Sequence, residues 1–291
     1  MVSFKDDDGV LEIRHRHEVI RVQAWGADSV RVRAAQYRIP AESHGALGDA
    51  PPGDQAQANA KIEISRTSAA YCTGALRVEI SFDTQAAYPE PLISFRRPDG
   101  TELLSEEREH FWLPGARVYA GNRSGAYEIS QQFAAYDGER LYGLGQRTHG
   151  RLNLKGLTLD LVQRNGEVSI PFVLSDRGYG LLWNSPAVGR VEFADNATRW
   201  SAGQAREIDY WFTAAPDPAR ILERYADATG HVPELPGWAS GFWQSKLRYR
   251  TQDELLEVAR EYHRRGLPLS VIVADFFHWS AMGDYRFDPA Q

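Results

Sequence analysis

The sequence predicts an α+β protein in which a large, mainly β N-terminal sandwich precedes a segment with parallel strands. Three observations carry this prediction. Short segments of alternating apolar and polar residues recur roughly every ten residues as far as Phe212. A helical pattern and a proline-rich linker follow. Beyond the linker, a helix separates two apolar segments, and the second is apolar on both faces, as covered parallel strands are.

Period-2 alternation places the strands of the sandwich. Residues 11–34 predict two strands joined by the turn GADS, with Ile20, Val22 and Ala24 on one face of the first strand. Further alternating segments are KIEISRT, ALRVEISF, PLISFRR, AYEISQQF, VSIPFVLS, YGLLWNS, GRVEFA and REIDYWFTA. Residues 40–60 are rich in Pro, Gly and Ala without periodicity, which predicts a mobile surface loop.

A helix is predicted after the last sandwich strand. Asp217 is its N-cap, Pro218 lies at its first position and Gly230 ends it. Its predicted apolar face consists of Ile221, Leu222 and Tyr225. Because HVPELPG then reads as a linker, a domain boundary is expected there. The predicted domains are a β-sandwich at 1–214, a helix and linker at 215–237, and a second domain at 238–291.

The second domain begins with a predicted βαβ unit. Its first strand lies in GWASGFW, and a capping box of Thr251 and Glu254 begins the helix. Gly266 with Pro268 closes that helix, whose predicted buried face consists of Leu255, Val258, Ala259 and Tyr262. The strand LSVIVA follows and leads into Asp275. This acid therefore lies at the carboxyl edge of a parallel sheet, where active sites are built.

Composition narrows the classes of function. The net charge of −6 argues against nucleic acid as a partner, since phosphate binding needs a basic surface. Cys72 is the single cysteine, which excludes an internal disulfide. The polar N-terminus and the lack of a long apolar segment predict a cytoplasmic protein without a membrane partner. Eight Trp and thirteen Tyr supply rings that suit sugars, although most such rings pack in cores.

Asp275 is the leading candidate for chemistry. An acid at a strand's carboxyl edge can accept hydrogen bonds from two vicinal sugar hydroxyls, and Phe276, Phe277 and Trp279 can form an apolar wall beside the sugar. The alternative is that Asp275 caps the next segment while the rings pack under a loop.

Two further groups of residues are weaker candidates, since Lys and Arg side chains are usually solvated and each taken alone is more often a surface residue than a ligand. Trp243, Gln244, Lys246 and Arg248 follow the first βαβ strand and would reach the same rim. Gln163, Arg164 and Asn165 share a turn of the sandwich, where three hydrogen-bonding side chains could border a site or simply form a polar turn.

Two suggestive patterns are set aside. His15 and His17 on one strand face lack a third metal ligand, so a structural or solvated role is favoured. Gly143 and Gly145 lack the spacing of a phosphate loop and are expected to allow tight turns.

Five segments resemble glycoside hydrolase family 31, nearest its α-xylosidase branch. They are LYGLGQRTHGRLNLKG, VQRNGEVSIPF, GYGLLWNSPAVGRVEF, GFWQSKLRYRTQDELLEVAREYHRRGLPLSVIVADFFHW and MGDYRFDP. The resemblance implies a galactose-mutarotase-like sandwich, then a (β/α)8 barrel, and retaining hydrolysis of α-linked sugars without a cofactor.

By position, Asp275 resembles the family's barrel aspartate that binds hydroxyls of the sugar in the reacting subsite. The resemblance implies that Phe276 lines the same subsite. Arg248 lies near a position that is aromatic in other members, a departure that alters the pocket. The resemblance also implies that Gln163, Arg164 and Asn165 border the active site.

No catalytic residue is assigned. Retaining hydrolysis needs two carboxyl groups about 5–5.5 Å apart, and the resemblance implies that both come from later barrel strands. Asp275, Asp284 and Asp288 are therefore not promoted to nucleophile, and the chain is expected to be an inactive N-terminal portion. Two parallel strands cannot close a barrel, so residues 238–291 are expected to aggregate or be disordered.

The sequence leaves alternatives open. A non-catalytic carbohydrate-binding sandwich ranks second, and an aldose epimerase using His149 ranks last. The substrate is an α-xyloside or α-glucoside, and bulky Phe276 or Trp279 would exclude the glucose C6 hydroxymethyl group. A homo-oligomer of a full-length parent is also left open.

Overall fold

The structure is a computed structural model that describes residues 2–48, 60–86, 88–108, 115–122 and 124–288. It divides into two compact units, Met1–His231 and Val232–Gln291, called here the sandwich unit and the βαβ unit. Most of the loop predicted at 40–60, namely 49–59, lies outside the described residues.

The sandwich unit contains eighteen described strands and one described α-helix. The strands are β1 (Val2–Asp7), β2 (Val10–His15), β3 (Glu18–Ala24), β4 (Ser29–Gln36), β5 (Lys61–Ile64), β6 (Ser68–Thr73), β7 (Leu76–Phe82), β8 (Pro91–Arg96), β9 (Glu102–Ser105), β10 (Arg117–Gly121), β11 (Tyr127–Phe133), β12 (Leu141–Gln146), β13 (Thr158–Leu161), β14 (Val168–Ser175), β15 (Tyr179–Trp183), β16 (Gly189–Phe193), β17 (Thr198–Ala205) and β18 (Ile208–Ala214). Helix α1 spans Pro218–Thr229.

These strands form three antiparallel sheets. The largest has the order β1-β2-β3-β4-β18-β15-β14-β12, and two five-stranded sheets have the orders β10-β11-β17-β16-β13 and β5-β6-β7-β8-β9. One apolar cluster draws side chains from all three sheets, among them Val32, Phe95, Trp200 and Phe212. The predicted sandwich is confirmed, and every segment predicted as a sandwich strand contains one. Residues 11–34 contain parts of three strands rather than two, and β1, β6, β9, β10, β12, β13 and β17 were not predicted.

Helix α1 covers the outer face of the largest sheet. The Asp217 carboxylate accepts a hydrogen bond from the Ala219 amide at 2.9 Å, which confirms the predicted N-cap. Ile221 is fully buried, and Tyr225 stacks on Phe172 with ring centroids 4.2 Å apart. Leu222 was predicted on the same face but is 51% exposed. One helical step of about 100° turns it away from the face that 221, 225 and 228 share.

The βαβ unit contains β19 (Trp243–Ser245), α2 (Gln252–Arg264) and β20 (Val271–Val273). The two strands pair in parallel, with Trp243 opposite Val271, which confirms the predicted connection. The first strand was predicted too early. Residues 237–240 form a 3₁₀ turn, closed by a hydrogen bond from the Gly241 amide to the Trp238 carbonyl at 3.1 Å, so pairing begins only at Trp243.

Two further expectations for this unit need correction. Thr251 caps α2 by accepting from the Glu254 amide at 3.2 Å, but Glu254 accepts from the Arg250 amide at 2.8 Å rather than from Thr251. The predicted apolar face of α2 and the strand β20 are half-buried rather than buried. A two-stranded sheet has too few neighbours to cover both of its faces.

Candidate active site at the carboxyl edge of the parallel strands

Asp275 lies two residues beyond β20, at its carboxyl end, as the sequence predicted. Its Oδ1 accepts a hydrogen bond from the Phe276 amide at 2.8 Å and so caps a 3₁₀ turn at Phe276–His278. The Nδ1 atom of His278 lies 2.6 Å from the Asp275 carbonyl oxygen. Among the described residues Oδ2 has no hydrogen-bond partner. The capping role is therefore real, and it uses one carboxylate oxygen while leaving the other available.

The aromatic side chains that follow Asp275 in the sequence form one ring cluster. Phe276 stacks on Phe277 with centroids 4.2 Å apart and lies 6.1 Å from Trp279. Tyr285 extends the cluster, 4.5 Å from Trp279. Phe276 remains 38% exposed. A partly exposed cluster of rings thus follows a carboxylate that has one oxygen without a partner among the described residues.

Arg248, three residues beyond the end of β19, joins this cluster. Its guanidinium carbon lies 4.5 Å from the centroid of Phe277, a cation–π contact. Because five N–H groups point outward from the guanidinium plane, stacking on a ring fixes the group and leaves its edges for a ligand. Asp275, the aromatic rings and Arg248 are thus brought together within the βαβ unit.

The other residues predicted near this rim have different positions. Trp243 is the first residue of β19, so it lies at the amino end rather than beyond the carboxyl end, and its indole N–H donates to the Ala239 carbonyl at 3.2 Å. The late start of the strand causes this difference. Gln244 accepts from the Tyr262 hydroxyl at 2.7 Å, and Lys246 pairs with Glu254 at 2.5 Å. These last two contacts are structural.

Gln163, Arg164 and Asn165 lie in the exposed connection between β13 and β14, which belong to different sheets, and the antiparallel bridge between Arg164 and Glu167 folds this connection into a short hairpin. The Gln163 amide pairs with the backbone of Ser169 through both of its ends, at 2.8 and 2.9 Å. Arg164 contacts Asp160 at 2.5 Å. Hydrogen bonds from Arg164 and then Arg190 hold the pKa of the Asp160 carboxyl below its ordinary value. The three residues are neighbours, but they are not equivalent, because two of them already have partners.

A cavity of about 570 Å³ lies beside the base of this hairpin. Its lining includes Gln163, Ser169, Asn184 and Val188, and it contains no Asp, Glu, Lys or Arg. The Asn184 side chain fixes one wall, accepting from the Ala46 amide at 2.7 Å. The sequence does not predict this cavity, because its walls come from segments that are more than 100 residues apart.

The remaining candidates are either packed against a ring or exposed. His15 is buried against Phe82 with ring centroids 5.0 Å apart, whereas His17 is exposed. No group of three or more His, Cys, Asp or Glu within the described residues could hold a metal ion. His149 lies on an exposed loop, where its Nδ1 accepts from the Arg151 amide at 3.0 Å.

The glycines of LYGLGQ were expected in a tight turn, and this was wrong. Gly143 and Gly145 lie within β12, where its pairing with β14 shifts register. A Cβ atom at Gly145 would lie 2.1 Å from the Val168 carbonyl oxygen, so glycine is needed for the close approach of the two strands. Separately, no helix in the described part of the chain is long and apolar enough to cross a membrane.

Comparison with protein families gives two matches. Residues 19–192 match the glycosyl hydrolase 31 N-terminal galactose mutarotase-like domain. Residues 232–291 match the TIM-barrel domain of glycosyl hydrolases family 31. One match thus falls in each unit.

Individual relatives agree with the family matches. An uncharacterized family 31 glucosidase, ORF2, from Pseudescherichia vulneris is 40% identical over 96% of this chain and 54% of its own length. Alpha-xylosidase A from Aspergillus niger is 33% identical over 96% of this chain and 39% of its own length. The crystal structure of a GH31 alpha-xylosidase from a soil metagenome, complexed with xylose, superposes with a TM-score of 0.86 at 39% identity, covering 99% of this chain and 43% of that one. The chain thus spans about half the length of these relatives or less.

Proposed function

We propose, since this chain belongs to glycoside hydrolase family 31, that it is the N-terminal part of a retaining α-glycosidase that hydrolyses terminal α-linked xylose or glucose. The observation that carries the proposal is Asp275. Its carboxylate lies at the carboxyl end of a parallel strand, keeps one oxygen without a partner among the described residues, and is followed by a cluster of exposed rings. This geometry suits a neutral ring that bears vicinal hydroxyls.

In this proposal each of these residues makes a specific contact with the sugar. The Oδ2 atom of Asp275 accepts hydrogen bonds from sugar hydroxyls, while Oδ1 remains on the Phe276 amide. Phe276 and Trp279 contact the C–H face of the ring. Arg248, held on Phe277, donates to a hydroxyl at the edge of the pocket. Trp243 is not given a sugar contact at this rim, because it lies at the amino end of β19.

The carboxyl pair that breaks the bond is not assigned to this chain. Retaining hydrolysis needs two carboxyl groups about 5–5.5 Å apart, one as nucleophile and one as acid/base. Asp275 is engaged in capping, and Asp284 accepts from Arg286 at 2.8 Å. Neither is proposed as nucleophile, nor is Asp288, so the 291-residue chain is expected to bind sugar without turnover. Its cytoplasmic location stays a prediction.

Xylose is the preferred sugar in this proposal. Two of the relatives named above carry the name α-xylosidase. A xylose pocket must exclude the hydroxymethyl group on C6 of glucose, and in this proposal the bulky side chains of Phe276 and Trp279 do so. Because one hydroxymethyl group distinguishes the two sugars, discrimination by shape alone is expected to be about 10- to 200-fold.

The experiment measures sugar binding and turnover in the same preparation. Isothermal titration of the chain with xylose and isoprimeverose is expected to show saturable binding that Asp275→Asn weakens at least roughly tenfold. Asp284→Asn, which changes a neighbouring carboxylate outside the proposed contacts, serves as the control and is expected to bind normally. Binding that Asp275→Asn leaves unchanged contradicts the proposal. Robust cleavage of p-nitrophenyl α-xyloside or α-glucoside would show that the placement of the catalytic pair is wrong.

A second function, sugar binding by the sandwich without catalysis, is favoured by the cavity of about 570 Å³ beside the 163–165 hairpin. Binding that survives Asp275→Asn and is lost when Ala187 in the cavity wall is replaced by Trp would select this second function.

A further inference from the structure

We propose that Arg147 is a positioning residue for sugar binding by Asn165. Arg147 fixes the hairpin between β13 and β14, so that the amide of Asn165 is presented to a neutral sugar. The sugar as ligand rests on the function proposed above. The geometric part rests on the contacts within the sandwich unit alone.

Arg147 connects three backbone segments. Its side chain is 5% exposed. Nε donates to the Leu144 carbonyl at 3.0 Å, and Nη1 donates to the Asp160 carbonyl at 2.9 Å. Nη2 donates to the Ser169 hydroxyl at 2.9 Å. Because the guanidinium is planar and rigid, these three bonds fix both arms of the hairpin relative to β12.

The backbone of β12 has an unusual conformation at the residue that accepts a hydrogen bond from Arg147. Leu144 has a positive φ of 61°, an unusual conformation for a residue with a branched side chain, and it lies between Gly143 and Gly145 with φ of 117° and 79°. The register shifts there, and the extra residues are on the facing strand, because Leu144 alone lies opposite residues 170–172 of β14. Such an irregularity changes the direction of backbone groups, and here the Leu144 carbonyl receives the Arg147 Nε–H.

Two side chains of the hairpin are bound to neighbouring residues, and a third is left available for a ligand. The Gln163 amide is bound to the Ser169 backbone through its nitrogen and its oxygen, and Arg164 is bound to Asp160. Asn165, at the tip of the hairpin, is exposed and has no hydrogen-bond partner among the described residues. Its amide offers two donors and an acceptor, which matches the alternating hydrogen-bonding groups of vicinal hydroxyls.

The charges near the hairpin favour a neutral ligand. Glu167 lies 3.6 Å from Arg147, and Asp160 faces both Arg164 and Arg190, so the nearby cations already have carboxylate partners. The adjoining cavity is lined by Gln163 and Ser169 and by no Asp, Glu, Lys or Arg. A sugar carrying no charge fits this balance better than a phosphate or uronate.

The test combines hydrogen exchange with a double-mutant cycle on the full chain. In Arg147→Lys, the amides of residues 163–169 are expected to exchange at least about tenfold faster, because the rigid fork is lost. Isoprimeverose affinity is expected to fall about 3- to 10-fold in both Asn165→Ala and Arg147→Lys. The double variant is expected to be no weaker than either single variant, since both remove the same interaction.

Arg177→Lys is the matched control. Arg177 also donates to two backbone carbonyls, of Leu103 and Glu102 at 3.2 and 2.7 Å, but it lies beyond the far end of β14. Its replacement is expected to lower the melting temperature similarly while leaving hairpin exchange and sugar affinity unchanged. A purely structural Arg147 would behave in the same way as this control, and that result overturns the proposal.

The remaining outcomes separate this inference from the proposed function. Unchanged hairpin exchange in Arg147→Lys, additive losses in the double variant, or no saturable binding of isoprimeverose to the wild type would each overturn it. Binding that is lost in Asp275→Asn but kept in Asn165→Ala overturns this inference and supports the proposed function. The reverse pattern supports the inference and contradicts the role of Asp275.

Discussion

The sandwich unit and the βαβ unit differ most in how deeply their side chains are buried. Three sheets in the sandwich unit enclose one core, in which Phe212 is fully buried and stacks 4.0 Å from Phe95. Among the described residues of the βαβ unit, Tyr249 alone is buried, at 7% exposure. Rings such as Phe242 and Phe287 are 47% and 76% exposed.

The difference in burial means that one unit supplies most of the stability and the other supplies the proposed site. Fully burying a large apolar side chain contributes about 1.5–3 kcal/mol, and the sandwich unit has many such residues. The βαβ unit instead supplies Asp275 and the ring cluster at the ends of its strands. We therefore expect the two units to respond very differently to equivalent substitutions. The aggregation or disorder predicted for residues 238–291 would follow from the same shallow burial of the βαβ unit.

The largest contrast is expected from equivalent aromatic truncations. Phe212→Ala should lower the free energy of unfolding by about 3–5 kcal/mol, because it opens a cavity in a closed core. Phe242→Ala, at a ring that is 47% exposed, should cost less than about 1 kcal/mol. Urea denaturation followed by far-UV circular dichroism measures both values. Equal losses would show that the βαβ unit contributes to one common core.

A smaller contrast is expected from ion pairs. Arg117 donates to Glu18 at 2.8 Å and also contacts the fully buried carboxylate of Glu106. Arg117→Met leaves Glu106 buried without its partner and should cost about 3 kcal/mol. Lys246→Met breaks a pair whose side chains are 52% and 34% exposed, and it should cost under about 1 kcal/mol.

The same denaturation experiment, repeated in high salt, checks this assignment. Salt should weaken the contribution of the exposed Lys246 pair and leave that of the buried Arg117 pair largely unchanged. A strong salt dependence for Arg117→Met would contradict its burial.

The smallest effect concerns pH and the buried His15. Burial, reinforced by the charge of Arg16, holds the pKa of the imidazole below its ordinary value, while Glu18 acts in the opposite direction. The unfolded chain then binds the proton more readily than the folded one. This histidine's contribution to stability is therefore complete above the unfolded pKa of about 6.5 and is lost as the pH falls towards the folded pKa.

His15→Leu should reduce the pH dependence of the free energy of unfolding between pH 7 and 5. The reduction should not exceed about 1.4 kcal/mol per pH unit, the limit for one proton. His17→Leu, at an exposed histidine nearby, is the control and should leave the dependence nearly unchanged. Identical profiles for wild type and His15→Leu would show that His15 does not contribute to it.

Much of the fold could be predicted because its signals are local. Alternation identified strands such as Val168–Ser175, and Asp217 capped its helix as expected. The failures occurred where a neighbour decides the outcome. Trp243 belongs to a strand only from the point where it meets Val271, and Gly143 and Gly145 allow a close approach to β14 rather than a turn.

The sequence by itself determined the order of elements, the position of Asp275 after a parallel strand, and the family resemblance, since each depends on residues close together in the chain. Tertiary structure alone decided that one oxygen of Asp275 is used in capping, that Arg248 stacks on Phe277, and that Gln163 holds a hairpin while Asn165 is left at its tip. Hydrogen bonds and ring contacts are satisfied by whichever partner lies nearest in space, and the chain order does not specify that partner.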